Sequence, residues 1–210
     1  MCLLLTPLKE CSMTKLLLHS CCGPCSSAVI ERLVNETDYS ICVYFYNPNI
    51  YPQQEYEHRK QEQIRLIKAL DNTRVSFVDS VYNPELFYCC TKGLENEMEG
   101  GKRCTECFRL RLSASAQFAK DNGFDMFATT LTVSPHKNAK IINEIGNEIS
   151  KEIKVPYLEA DFKKKDGFKR SIELAKAFGL YRQNYCGCAF SLNKSECKNK
   201  KDAECGLNKI

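Results

Sequence analysis

Cysteine is the residue through which this sequence could do chemistry. Fourteen of 210 residues are cysteine, and several stand in close groups. Three fall within five residues at Cys21-Cys22-Gly23-Pro24-Cys25, two are spaced C-x-x-C at Cys104-Thr105-Glu106-Cys107, and two are spaced C-x-C at Cys186-Gly187-Cys188. The thiolate is both a strong nucleophile and a soft metal ligand. Adjacent Cα atoms are about 3.8 Å apart, closer than the roughly 4.4–6.8 Å of most disulfides, so Cys21 and Cys22 suit a third party better than each other. At a helix start, Cys104 and Cys107 can face one ligand, as metal half-sites require; a thioredoxin-like redox dithiol is the rival. Together the first two groups offer five thiolates, enough for a four-cysteine site with one thiol over. The C-x-C pair could hold one or two metals, close a strained and labile disulfide, or form a zinc knuckle. Before it stands Tyr181-Arg182-Gln183-Asn184, whose groups could stack on or hydrogen-bond a base. Any single thiol could instead be a plain core residue.

The rest of the composition bounds the setting. Hydrophobic residues make up 43% and charged residues 27%, the usage of a globular chain. Thirty basic against 26 acidic residues leave a net charge of +4, mildly basic and compatible with nucleic acid. Cysteine at about 7% stays under the roughly 8–10% of secreted disulfide scaffolds. Near the N-terminus stand only the short apolar runs Leu3-Leu4-Leu5 and Leu16-Leu17-Leu18, with no signal-peptide core. No run approaches the roughly 18 apolar residues of a membrane span. The expectation is a cytoplasmic protein with no membrane partner, whose thiols stay reduced for metal or redox work.

The thiols must be positioned by elements, and these read as an alternation. Lys15-Leu-Leu-Leu-His19 predicts a buried strand with the cysteine turn after it, and Ser26-Ser27 predict the N-caps of a helix through Ala28, Val29, Ile30 and Leu33. Residues 41–46 and 75–78 predict two more strands around a charged helix over 53–70, with Ile64, Ile67 and Leu70 inward. Residues 82–103 read as an insertion or loop holding Cys89-Cys90. Phe108, Leu112, Ala116 and Ala119 lie at helical spacing, closed by Asn122-Gly123. A strand is expected over 124–131, a helix on the stripe Ile141, Ile142, Ile145, Ile149, Ile153, a short strand over 156–158, and a last helix over 167–178. Strand–helix alternation predicts one α/β domain with a parallel, doubly wound, Rossmann-like sheet, and puts the cysteines at the carboxyl ends of its strands. The expected boundaries are a catalytic domain over 13–190, an N-terminal extension over 1–12, and a lysine-rich tail over 191–210.

Other residues carry weaker signals. His19, just before the cysteine turn, could donate a proton or simply orient a thiolate, and His136 could reach the same crevice. Lys163, Lys164, Lys165, Lys169, Arg170 and the run 198–201 suit phosphate contacts or a merely solvated face. Cys42 reads as core, and Cys2, Cys11, Cys197 and Cys205 fall in the tails.

Five ordered motifs carry a resemblance. They are His19-Ser-Cys-Cys-Gly-Pro-Cys25, Tyr46-Asn-Pro-Asn-Ile-Tyr51, Gly101-Lys-Arg-Cys-Thr-Glu-Cys-Phe108, Thr130-Leu-Thr-Val-Ser-Pro-His-Lys137 and Tyr181-Arg-Gln-Asn-Tyr-Cys-Gly-Cys188. The chain thereby resembles the QueH-type epoxyqueuosine reductases from about residue 15 to 188; Met13 could be the start in such a family. The resemblance implies a HUP-type fold and a cobalamin-independent iron–sulfur enzyme. Its reaction would turn epoxyqueuosine into queuosine at the wobble position of tRNA. On this reading Cys21, Cys22, Cys104 and Cys107 look like [4Fe–4S] ligands. Cys186 and Cys188 look like a redox pair or second-metal ligands. Members of the family can carry Asp at the place of Cys25, so that residue looks like a ligand to a second, mononuclear iron.

That reaction needs two electrons, from an unidentified donor, and two protons, for which His19, Asp161 and Tyr185 are the candidates. Lys163, Lys164, Lys169, Arg170 and Arg182 are the candidates for holding the tRNA. Two other functions compete. An ATP-dependent tRNA thiolation enzyme would need a glycine-rich phosphate loop after the first strand, where this chain has one glycine and a proline without an N–H. A non-catalytic zinc-binding RNA module would use the C-x-x-C and C-x-C as structural ligands.

Overall fold

The structure, a computed structural model, describes residues 13–192. The predicted extension over 1–12, the tail from 193 on, and Cys2, Cys11, Cys197, Cys205 and the 198–201 cluster lie outside the described residues.

Strand β1 (Lys15–His19) is three leucines between two polar residues, and all three are fully buried. It pairs in parallel on both edges, Leu17 opposite Cys42 of β2 (Ser40–Phe45) and opposite Phe127 of β4 (Met126–Thr129). With β3 (Val75–Asp79) the sheet has the order β3-β2-β1-β4 and is parallel throughout. Such a sheet needs helices on both faces, which is why its central strand is apolar without alternation. On one face Leu17, Tyr44 and Phe127 meet Phe108, Leu112 and Ala116 of α4 (Lys102–Asp121) and Ile142, Ile145 and Ile149 of α5 (Ala139–Ile153). Burying each of those isoleucines contributes roughly 1.5–3 kcal/mol. On the other face Leu16, Leu18 and Val43 meet Val29, Ile30 and Leu33 of α1 (Gly23–Glu36). Against α1 packs α6 (Gly167–Ala177), and α2 (Gln53–Leu70) joins it through Leu66, Ala175 and Leu180. From β1 the chain leaves to β2 on one side and β4 lies on the other, so the crevice beyond His19 and Thr129 is the topological switch point.

Several boundaries differ from the sequence expectation. Helix α1 begins at Gly23, three residues before the predicted caps, because Pro24 is preset for a first turn and Cys22 is the extended N-cap. Ser26 and Ser27 instead donate back to the carbonyls of Cys22 and Pro24, both at 2.9 Å. Helix α2 turns Tyr56, Arg59, Gln63 and Leu66 inward, and Ile64, Ile67 and Leu70 sit at its half-buried flank. Within 82–103 there is a short helix, α3 (Glu85–Cys90). Strand β4 stops at Thr129, whose hydroxyl oxygen accepts the Leu131 N–H at 3.2 Å and turns the chain into a 3-10 turn over Thr130–Val133. The strand expected over 156–158 is a single bridge, Tyr157 to Phe127.

Candidate metal centre

The turn between β1 and α1 gathers three thiols. The sulfurs of Cys21, Cys22 and Cys25 all lie within 4.8 Å of one another, and those of Cys21 and Cys22 are 3.8 Å apart, in contact but unbonded. The Cys22 and Cys25 thiols beside it hold the Cys21 thiol well below its ordinary value, while Cys22 is pushed up to about 12 and Cys25 is also raised.

Helix α4 brings the second pair. Cys104 is half-buried and accepts the Gly100 N–H at 3.2 Å, and burial raises its thiol. Cys107 is buried and pushed up to about 12 by desolvation, with the Arg111 cation opposing. From the other end of the chain, Cys186 lines a cavity of about 690 Å3 together with Cys21 and Cys25, and a smaller one of about 90 Å3 with Cys104. Cys188 lines neither cavity and is buried in an apolar cluster with Phe87 and Cys107. The ten described cysteines are all free thiols, Cys186 and Cys188 among them. Cys42, Cys89 and Cys90 line neither cavity; Cys90 donates to the Phe87 carbonyl at 3.2 Å.

The C-x-C segment is held by buried polar groups. Arg59, 1% exposed, donates to the carbonyls of Cys186 at 3.2 Å and Tyr185 at 3.4 Å while its Nε pairs with Glu55 at 2.7 Å. Gly187 sits at φ +129°, and a Cβ there would meet Arg59 Nη1 at 3.1 Å and Ile50 Cγ1 at 3.2 Å. Gln183 lines the larger cavity and donates its amide to Cys22 Sγ.

The proton-donor candidates separate clearly. His19 is fully buried; its Nε2–H donates to the Tyr46 carbonyl at 3.1 Å, which makes Nδ1 the acceptor for the Thr129 hydroxyl at 2.9 Å. Burial, with Arg111 nearby, pushes its pKa down to about 3, so the ring is neutral with both nitrogens engaged. Tyr185 lines the large cavity, donates to the Tyr51 carbonyl and is pushed up to about 12 by burial. Asp161 lies outside both cavity walls, 3.7 Å from the Lys163 ammonium, which donates to the Lys137 carbonyl at 3.0 Å. Of the predicted tRNA contacts, Arg182 is exposed in the cavity wall, and Lys164 and Lys169 are exposed beyond it. Arg170 is clamped bidentately on Glu31 at 2.8 Å and also pairs with Glu173.

Sequence reasoning missed three cations at the site: Arg59, Arg111 and Lys137. Lys137 lines both cavities and faces Cys186, Cys21 and Cys25, whose charges raise its pKa. Arg111 could have been found, because it sits three residues after Phe108 and one before Leu112, on the apolar stripe of α4 where a solvated charge has no place.

Comparison with known proteins adds to this geometry. The family model described as "Epoxyqueuosine reductase QueH" matches residues 16–194. A protein of that name from Staphylococcus epidermidis is 41% identical over 204 residues, covering 93% of this chain and 85% of the relative. One from Streptococcus pyogenes serotype M1 is 42% identical over 186 residues, covering 87% and 72%. Among solved structures, the U34-tRNA thiolase NcsA from Methanococcus maripaludis with its [4Fe-4S] cluster superposes with a TM-score of 0.48 at 15% identity, covering 85% of this chain and 62% of that one, less than two thirds of its length.

Proposed function

The chain belongs to the epoxyqueuosine reductase QueH family of enzymes, and on that premise we propose that it deoxygenates epoxyqueuosine at the wobble position of tRNA. Both C–O bonds of the epoxide break, an alkene forms, and the oxygen leaves as water. Two electrons from an external reductant and two protons balance the step.

The observation that carries the reading is the meeting of family-motif cysteines from three separate segments along two adjoining cavities: Cys21 and Cys25 from the first turn line the larger, Cys104 lines the smaller, and Cys186 from the C-terminal segment lines both. The donor set fits an iron–sulfur group: soft thiols, mostly buried, with the Cys21 thiol held below its ordinary pKa by its neighbours. We assign Cys21, Cys22, Cys104 and Cys107 to a [4Fe–4S] cluster. Cys25 would hold a second, mononuclear iron, with Cys186 and Cys188 either as its further ligands or as a redox pair. Bound there, the cluster supplies electrons one at a time at a potential set by its surroundings.

The chain's own groups do the rest. Nε2–H of neutral His19 fixes the Tyr46 carbonyl and so the strand ends on either side of the cysteine turn, an orienting role. Of His19, Asp161 and Tyr185 it is Tyr185 that lines the cavity, where His136 stands too, and its phenol carries a proton for the leaving oxygen. A volume of about 690 Å3 suits one splayed nucleoside, and Arg182, Lys164 and Lys169 stand free to hold phosphates around it.

The test is anaerobic purification with iron, sulfide and zinc measured on one sample, followed by an assay on epoxyqueuosine-tRNA. Four or five irons with four sulfides per chain, or roughly so, and conversion to queuosine are expected. Zinc without sulfide that survives reconstitution, together with no turnover, overturns the reading in favour of a structural zinc module.

A further inference from the structure

Arg111 lies inside the fold with 2% of its surface exposed, where a guanidinium normally meets a carboxylate. Among the described residues no carboxylate pairs with it. Its Nε donates to the Cys107 carbonyl one turn back at 3.3 Å, its Nη1 reaches Asn47 Oδ1 at 3.4 Å, and its Nη2 is buried without a partner. Asn47 passes the contact on, its Nδ2 donating to the carbonyl of Ser20, next to Cys21, at 2.8 Å. One guanidinium thus braces the Cys104–Cys107 helix against the Cys21–Cys25 turn. Its Cζ lies 5.8 Å from the centroid of the Phe108 ring. A permanent cation, buried and with an unpartnered donor, calls for an anion, which the site supplies once its thiols are metallated.

We propose that Arg111 is the internal counter-cation of the metal centre, a positioning residue that raises the potential at which the centre takes up an electron. This rests on the iron–sulfur reading above. Reduction adds one negative charge, and a fixed positive charge in a low-dielectric interior stabilises the reduced form more than the oxidised form. Lys137 faces the thiols too, but it stands half-buried in the wall of the open cavity, whereas Arg111 is enclosed by the fold.

The experiment compares the full-length wild type, Arg111→Met and Arg111→Lys after anaerobic reconstitution with iron and sulfide. Metal and sulfide are quantified first, and the cluster is then titrated redox-potentiometrically with electron paramagnetic resonance as the readout. Arg111→Met is expected to load its cluster, yet at the wild-type midpoint its reduced-to-oxidised ratio falls at least tenfold, about 59 mV for one electron. Arg111→Lys, which keeps the charge, holds a midpoint near wild type. A fully loaded Arg111→Met with an unmoved midpoint overturns the inference. If Arg111→Met does not fold, Arg111→Gln, which removes the charge and keeps an amide donor, decides: a tenfold fall supports the charge effect, and an unmoved midpoint overturns it. A wild type that takes up zinc and no sulfide defeats the iron–sulfur reading and this inference with it, whereas an unmoved midpoint in a loaded charge-removing variant defeats this inference alone.

Discussion

Gln183 donates its side-chain amide to the sulfur of Cys22 at 3.1 Å, and its own Oε1 is buried without a partner. The bond ties the C-terminal segment onto the cysteine turn of the first strand. A donor on sulfur stabilises the thiolate form, and groups that orient metal ligands are commonly worth a factor of about 10–100 in metal affinity. Gln183→Leu should therefore lose iron to a chelator about 10–100 times faster than wild type, with the far-ultraviolet spectrum unchanged. Equal rates of iron loss would show the contact to be incidental.

Cys104 and Cys188 separate cluster binding from turnover. Cys104→Ala should lose iron, sulfide and activity together. Cys188→Ala, whose side chain faces the apolar cluster of Phe87 and Cys107, should retain most of the cluster and fail in the tRNA assay. Full activity in both variants would rule out the ligand assignment.

Gly187→Ala probes the C-x-C backbone. With φ at +129° and Arg59 Nη1 and Ile50 Cγ1 already within 3.2 Å of any added methyl, neither the conformation nor the space allows alanine. A loss of about 1–3 kcal/mol in urea unfolding is expected, with kcat lowered as Cys186 shifts. An unchanged midpoint would mean the segment relaxes freely.

Arg182 and Arg170 stand close in sequence terms as basic residues and differ in what holds them. Arg170 is spent on Glu31 and Glu173, whereas Arg182 is free in the cavity wall. Arg182→Ala should weaken tRNA binding and reduce the slope of log affinity against log salt by about 1, with Arg170→Ala nearly silent in the same titration. The reverse order would put the RNA on the α1–α6 face.

Burial makes His19 a pH liability for the metal-free fold. Its pKa falls from an unfolded 6.5 to about 3, so below 6.5 the unfolded chain binds the extra proton and the folded one does not. Stability is complete above pH 6.5 and is lost progressively as the pH falls toward 3. Between pH 7 and pH 5 the loss from this residue is about 2 kcal/mol. Urea midpoints of wild type and His19→Asn should therefore converge as the pH is lowered; parallel curves would refute the buried neutral ring.

What the sequence disclosed, and what it hid, follows from how each feature is encoded. β1 was legible to the residue because Leu16-Leu17-Leu18 is bounded by polar residues, and α5 because five isoleucines keep one helical stripe. The turn after β4 was not, since Thr130, Thr132 and Val133 carry strand propensity while the Thr129 side chain turns the backbone. Helix α2 misled because its inward face is Arg59 and Gln63, polar residues whose partners lie far along the chain. The cysteine groups were plain from spacing alone. Their convergence was not, because Cys22 and Gln183 meet across 161 residues and no local pattern records such a contact. Arg111 was readable but unread: a charge placed on an apolar stripe.

That separation of 161 residues also sets a timetable. At about 5–20 residues per second, the ribosome releases the Cys21–Cys25 turn roughly 8–32 s before it releases the segment that covers it. For that interval the nascent chain carries the three thiols of the first turn with no cover from Tyr185 or Gln183, open to iron delivery and equally open to oxygen. The part of the site made later is the part that closes the door.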